Sequence, residues 1–172
     1  MGDSITVTNN RTGETADIPI VDGCVALESV SKLLPGVWFY DPSFVSTASA
    51  ASSITFLDGE EGILRYRGYP IQNLAEHSTY LEVAYLLIFG ELPKADELAT
   101  WTHEIRYHTY IHENFRKRFM DGFHYDAHPM GMLVSGIAAL STFYPEAKDV
   151  ADPEVRRKQI VRLIAKAPTL AA

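Results

Sequence analysis

The stretch from Ser52 to Pro93 constrains this chain more than any other, because two kinds of local signal follow one another along it. Ile54 to Leu57 and Ile63 to Arg67 are short apolar-rich runs. Between them lies Asp58-Gly59-Glu60-Glu61-Gly62, a glycine-bearing loop suited to a β-hairpin. A helix is predicted next. Thr79 with Glu82 makes a T-x-x-E capping box, and Leu81, Val83, Ala84, Leu87 and Ile88 supply an apolar face. Gly90 and Pro93 mark the stop.

The flanking sequence extends both patterns. Residues 4 to 20 alternate loosely around the polar turn Asn9 to Gly13, which predicts a small strand pair. Leu33 to Ala51 shows no sustained period and reads as an ordered connector. Beyond Pro93, Leu98, Trp101, Ile105, His108, Ile111, His112 and Phe115 recur at three- and four-residue steps, predicting one long amphipathic helix from Ala95 or Asp96. Pro129 opens a second helix, Met130 to Phe143, apolar nearly all round and therefore expected to be buried on most sides. Asp152-Pro153-Glu154 supplies the cap, first-turn proline and early acid of a third helix. That helix is expected to end before Pro168, where a further one would begin. The fold class is mainly α-helical, with small β-hairpins in the first 70 residues.

Composition narrows the function classes. The 172 residues suffice for one ordinary domain, and 47% are hydrophobic, enough to build a core. A net charge of -7 argues against general nucleic-acid binding, which needs a basic stripe. No charged-then-apolar leader opens the sequence, and no apolar run approaches the roughly 20 residues of a membrane span. The lone Cys24 forms no internal disulfide, and neither neighbour marks it as an activated thiol. A cytoplasmic protein without membrane or nucleic-acid partners is expected.

Among residues that carry chemistry, His103, His108, His112, His124 and His128 crowd together. His108 and His112 would share a helix face, with Glu113 or Asp126 as a carboxylate. Thr109 stands where a zincin needs glutamate, and the expectation is packed or hydrogen-bonded histidines without a metal. Arg65 and Arg67 alternate on the second hairpin strand, so both would face one side, most simply a solvated one near Glu60 and Glu61. No G-x-S-x-G nucleophile motif occurs.

The hairpin, capped helix and ELP connector, followed by HTYIHE (His108 to Glu113), DAHPM (Asp126 to Met130) and RLIAKAPTLAA (Arg162 to Ala172), resemble the N-terminal part of the citrate synthase family, bacterial type. The resemblance implies a β-rich arm and connector over residues 1–51. Residues 52–172 would be the first part of the helical large domain, cut before the catalytic half. It implies a parent acyltransferase that condenses acetyl-CoA with oxaloacetate to citrate and CoA in the tricarboxylic acid cycle, without a cofactor. The family's GPLHGGAN, GFGHRVY and D-F-Y motifs, which carry its catalytic histidines and aspartate, are absent. No catalytic residue is assigned, and the chain alone is expected to be inactive. Two other readings are a 2-methylcitrate synthase fragment and a non-catalytic module that pairs with a full-length paralogue.

The resemblance also implies a homo-oligomer, dimer or larger, through helices 130–143 and 153–166. Gly136, Ala138 and Ala139 would permit close approach. His108, Tyr144, Arg162 and Lys166 match an allosteric nucleotide site of the NADH-inhibited members. Tyr107 and Tyr110 replace that group's arginine and methionine, so weak or no NADH regulation is expected. Alternatively, Arg162 and Lys166 simply occupy a helix C-terminus, where the dipole favours cations.

Overall fold

The computed structural model describes residues 2–172 and divides them into two compact units, 2–52 and 53–172. In the first, β1 (Ser4–Thr8) pairs antiparallel with β2 (Thr15–Val21), Ser4 opposite Pro19 and Thr8 opposite Thr15. Asp22 and Gly23, both at positive φ, then turn the chain into β3 (Cys24–Val25). Two positive φ values in a two-residue loop match the right-handed twist of the strands. A short helix follows, α1 (Leu27–Leu33), which the sequence reading did not assign. Among the described residues of this unit, Ile18 and Val30 are the buried apolar ones. Asn9 is also buried, with its amide donating to the Leu33 carbonyl at 2.9 Å and its side-chain oxygen accepting from the Arg11 amide. The connector keeps Trp38 92% exposed.

In the second unit, β4 (Thr55–Asp58) and β5 (Ile63–Tyr66) form the expected hairpin. The Asp58 carboxylate accepts the amides of both Glu60 and Glu61 and shapes the loop. Arg67 does not continue β5. At φ 49° it forms a second tight turn with Gly68 into β6 (Tyr69–Pro70), so Arg65 and Arg67 do not share a strand face. Its guanidinium donates to the Leu87 carbonyl and the Ser53 hydroxyl, which holds a non-glycine residue in the left-handed region. Helix α2 (Ile71–His77), also unassigned from sequence, leads to α3 (Tyr80–Phe89). The Thr79/Glu82 capping box is complete, and Gly90 ends α3 at φ 98°.

The long predicted helix is two helices, α4 (Ala95–Tyr107) and α5 (Glu113–Arg118). The chain leaves the helix at His108, and the carbonyls thereby freed find donors on a later helix. Lys166 Nζ donates to the His108 and Tyr110 carbonyls, and the Thr169 hydroxyl to that of Thr109. Tertiary bonds thus replace the broken turn, and His108 and His112 do not share a helix face. A short 3-10 turn (Met120–Gly122) precedes α6 (Pro129–Leu140), and two more, Ser141–Phe143 and Pro145–Lys148, precede α7 (Pro153–Ala171).

Helix α7 runs through Pro168 instead of stopping before it. Proline removes one donor from the ladder. The last turn is nonetheless held by the Thr169 bond and by Leu170, buried with Phe115 and Leu140. On the same helix Val161 and Ala165 pack with Trp101 and Ile105 of α4. Trp101 is 3% exposed, and its indole donates to the Leu81 carbonyl. The helix α7 therefore joins two hydrophobic clusters, and removing either cluster from water is worth several kcal/mol, at about 25 cal/mol per Å² of apolar surface. Within this chain α6 is not buried on most sides: Met130 and Val134, one turn apart, are 58% and 61% exposed.

Candidate functional site

A cavity of about 200 Å³ opens between the end of α6, the two 3-10 turns after it and the middle of α7. Ile137, Leu140, Val150 and Leu163 make its walls apolar, while Tyr144, Gln159, Arg162 and Lys166 add polar groups. Positions 159, 162 and 166 lie on one face of α7 because they are spaced by three and four residues. Tyr144 is presented by the 3-10 turn that follows α6.

The arginine carbon of Arg162 lies 4.0 Å from the centroid of the Tyr144 ring, and the Lys166 nitrogen 5.8 Å from it. Both cations are therefore within cation–π range of one aromatic face. Burial pushes the Tyr144 phenol above its ordinary value, against the opposing pull of Arg162. Arg162 donates to Glu146 at 2.6 Å, and that hydrogen bond holds the Glu146 carboxyl below the usual range. Lys166 is 3% exposed, with its ammonium lodged against two carbonyls. Burial, then the charge of Arg162, keeps its pKa below the ordinary lysine value.

Three of the four residues singled out in the sequence thus meet in one cavity. His108 joins through its main chain only, its carbonyl bound to Lys166 while its ring Nδ1 donates to the Glu104 carbonyl at 2.8 Å. Tyr107 and Tyr110 are 73% and 83% exposed and do not line the cavity. Arg162 and Lys166 are not at a helix C-terminus, because α7 continues to Ala171. Two contributors were missed. Glu146 neutralises Arg162, and the Gln159 side-chain nitrogen is buried without a hydrogen-bond partner among the described residues. The spacing of Gln159 from Arg162 and Lys166 on α7 was the available signal.

The histidine cluster resolves into separate structural roles. His112, His124 and His128 each accept a backbone amide two residues on, and His103 stacks on Tyr107. Among the described residues no three His, Cys, Asp or Glu side chains converge as metal ligands. No helix of the described residues is long and apolar enough to cross a membrane.

This mainly helical fold is similar to part of solved citrate synthases. The crystal structure of citrate synthase from Pyrobaculum aerophilum superposes with a TM-score of 0.65 at 30% identity, covering 74% of this chain and 33% of that one. A family model described as "Citrate synthase, C-terminal domain" matches residues 43–172, and the chain belongs to the citrate synthase family. It is 48% identical to the peroxisomal citrate synthase of Dictyostelium discoideum over 182 residues, 99% of this chain and 37% of that protein. Citrate synthase 1 of Mycobacterium tuberculosis is 47% identical over 171 residues, 97% of this chain and 39% of the relative. The chain therefore spans less than two fifths of the curated relatives it matches.

Proposed function

We propose that this chain supplies the first part of an enzyme that condenses acetyl-CoA with oxaloacetate to give citrate and CoA in the tricarboxylic acid cycle. The observation that carries the reading is the near-complete alignment of the chain with citrate synthases at 47–48% identity. The relatives' names favour it over the 2-methylcitrate synthase and interaction-module readings. Residues 1–51 act as the arm and connector, and residues 52–172 as the opening of the large domain. The groups that remove the methyl proton and stabilise the enolate come from the remaining sequence of such an enzyme, so these 172 residues do not turn over alone. The acidic balance and lone cysteine support a cytoplasmic location, although one relative is named as peroxisomal.

The parent is a homo-oligomer built through α6 and α7. Exposed Met130 and Val134 on α6, with Leu163 on α7, support that surface. The Tyr144, Arg162 and Lys166 cavity, with His108 behind it, is its weak nucleotide site. Glu146 and two main-chain carbonyls already occupy its cations, which leaves little charge for a phosphate.

The test is complementation. The purified chain should release no thiol from acetyl-CoA with oxaloacetate above background. The same chain fused in register to the remaining sequence of the Mycobacterium tuberculosis relative should acquire oxaloacetate-dependent turnover. Activity of the isolated chain, or a well-folded but inactive fusion, would overturn the reading.

A further inference from the structure

Three imidazoles between α4 and α6 share one task. Nδ1 of His112 accepts the Asn114 amide at 3.1 Å, that of His124 the Asp126 amide at 3.2 Å, and that of His128 the Met130 amide at 3.1 Å. His112 is the N-cap of α5 and His128 the N-cap of α6. His124 closes the turn between them, its carbonyl also accepting the Ala127 amide at 3.0 Å. Each bond reaches two residues ahead, as in a turn capped by Asn or Asp. An amide oxygen keeps such a bond at any pH, whereas an imidazole keeps it only while Nδ1 carries no proton. Once protonated, the ring points an N–H at another N–H.

His108 works in the opposite sense. Its Nδ1 already donates, to the Glu104 carbonyl, so a proton added at Nε2 leaves that bond in place. Within one stretch of chain, acid would therefore break three histidine bonds and spare the fourth.

We infer that residues 112–130 form an acid-sensitive latch, in which protonation of His112, His124 and His128 releases three turns together and loosens α5 and the entry to α6. All three rings are exposed, so solvent protons reach them directly. On its own helix His112 faces Glu113, which is engaged by Arg116 and Lys117 at 3.0 Å each. From the 3-10 turn after α6 it faces the neutral ring of Phe143, at 5.2 Å. His124 lies against the exposed ring of Tyr125, centroids 4.4 Å apart. The side chain placed behind the latch is Phe115 on α5, fully buried against Leu140 and Leu170. Opening the latch loosens the short helix that carries that ring, while Leu140 and Leu170 still cover it. The first cluster, around Trp101, holds no imidazole cap and stays closed.

Amide hydrogen exchange of the 172-residue chain, corrected for intrinsic rates and compared between about pH 7.5 and about pH 5, tests the latch. Protection of the Asn114, Asp126 and Met130 amides should fall about fivefold per lost cap on acidification, while amides in α3 and α4 stay unchanged. In the triple variant His112→Asn, His124→Asn, His128→Asn, the amide oxygens should hold the same turns at both pH values and abolish the response. Equal acid loosening in that variant, or none in the native chain, would overturn the latch. If the triple variant does not fold, each single Asn variant is read at its own amide, with the same two outcomes. Imidazole nitrogen-15 shifts give an independent check: an Nδ1–H tautomer at His112, His124 or His128 near pH 7.5 would also refute it.

Discussion

Lys166 donates to the main-chain carbonyl of His108 at 2.6 Å, across 58 positions of sequence. The same ammonium bonds the Tyr110 carbonyl, so one buried side chain on α7 ties down two carbonyls of the segment between α4 and α5. Lys166→Met is expected to lower unfolding stability by about 2–3 kcal/mol, because it removes two charge-assisted bonds and strands two carbonyls. Urea unfolding near neutral pH measures this. A variant as stable as the native chain would show that the gap is held by other contacts.

Glu146 gives an acid-side prediction. Its folded pKa lies below the ordinary 4.5, first through the hydrogen bond from Arg162. The pair's contribution is therefore fully present above about pH 4.5 and lost as pH falls through the lower folded value. Glu146→Gln should flatten that part of the stability profile, its deficit greatest at neutral pH and vanishing in acid, and small throughout because the pair is partly exposed and screened. Parallel profiles for the two proteins below about pH 4.5 would contradict the assignment.

For association, the structure changes the residue to test. Gly136 is not on the open face of α6. A Cβ placed there meets Met120, Leu170 and Phe115 at 3.5–3.9 Å, all within this chain. Gly136→Glu should therefore cost several kcal/mol of folding stability by burying a carboxylate. Val134→Glu should leave folding intact and shift sedimentation from dimer or larger toward monomer. Unchanged mass for Val134→Glu at tens of micromolar, as order-of-magnitude concentration for such a contact, would remove the α6 face from the interface.

Nucleotide binding is expected to be weak. Titration calorimetry of the chain with NADH should show no saturation below roughly millimolar concentration, equivalent to about -4 kcal/mol. Micromolar binding that Arg162→Ala abolishes would show that the Glu146 pair yields to a phosphate.

What the sequence made legible was local chemistry. Thr79, Glu82 and Gly90 carry their capping geometry in their own side chains, so α3 was readable from end to end. The breaks were not. His108 to Ile111 keep an apolar helical period, and the helix stops there because carbonyls find Lys166 and Thr169, partners nearly sixty residues away. Pro168 misled in the converse way, since Leu170 and Thr169 hold a turn that local propensity alone would end. Asp22-Gly23 was a readable tight-turn signal and was overlooked, while Arg67-Gly68 was concealed by an arginine in a conformation that usually takes glycine. For the cavity, spacing placed Arg162 and Lys166 on one face of α7. Nothing local announced Glu146, which reaches Arg162 only once the 3-10 turn has folded.

The unequal environments of Trp38 and Trp101 give the protein two native optical reporters. A water-borne quencher such as iodide will extinguish Trp38, which stands in solvent on the connector, and leave the indole of Trp101 emitting from the interior. Light that survives quenching then comes from the second unit alone, so its unfolding can be followed without a label and without interference from the arm.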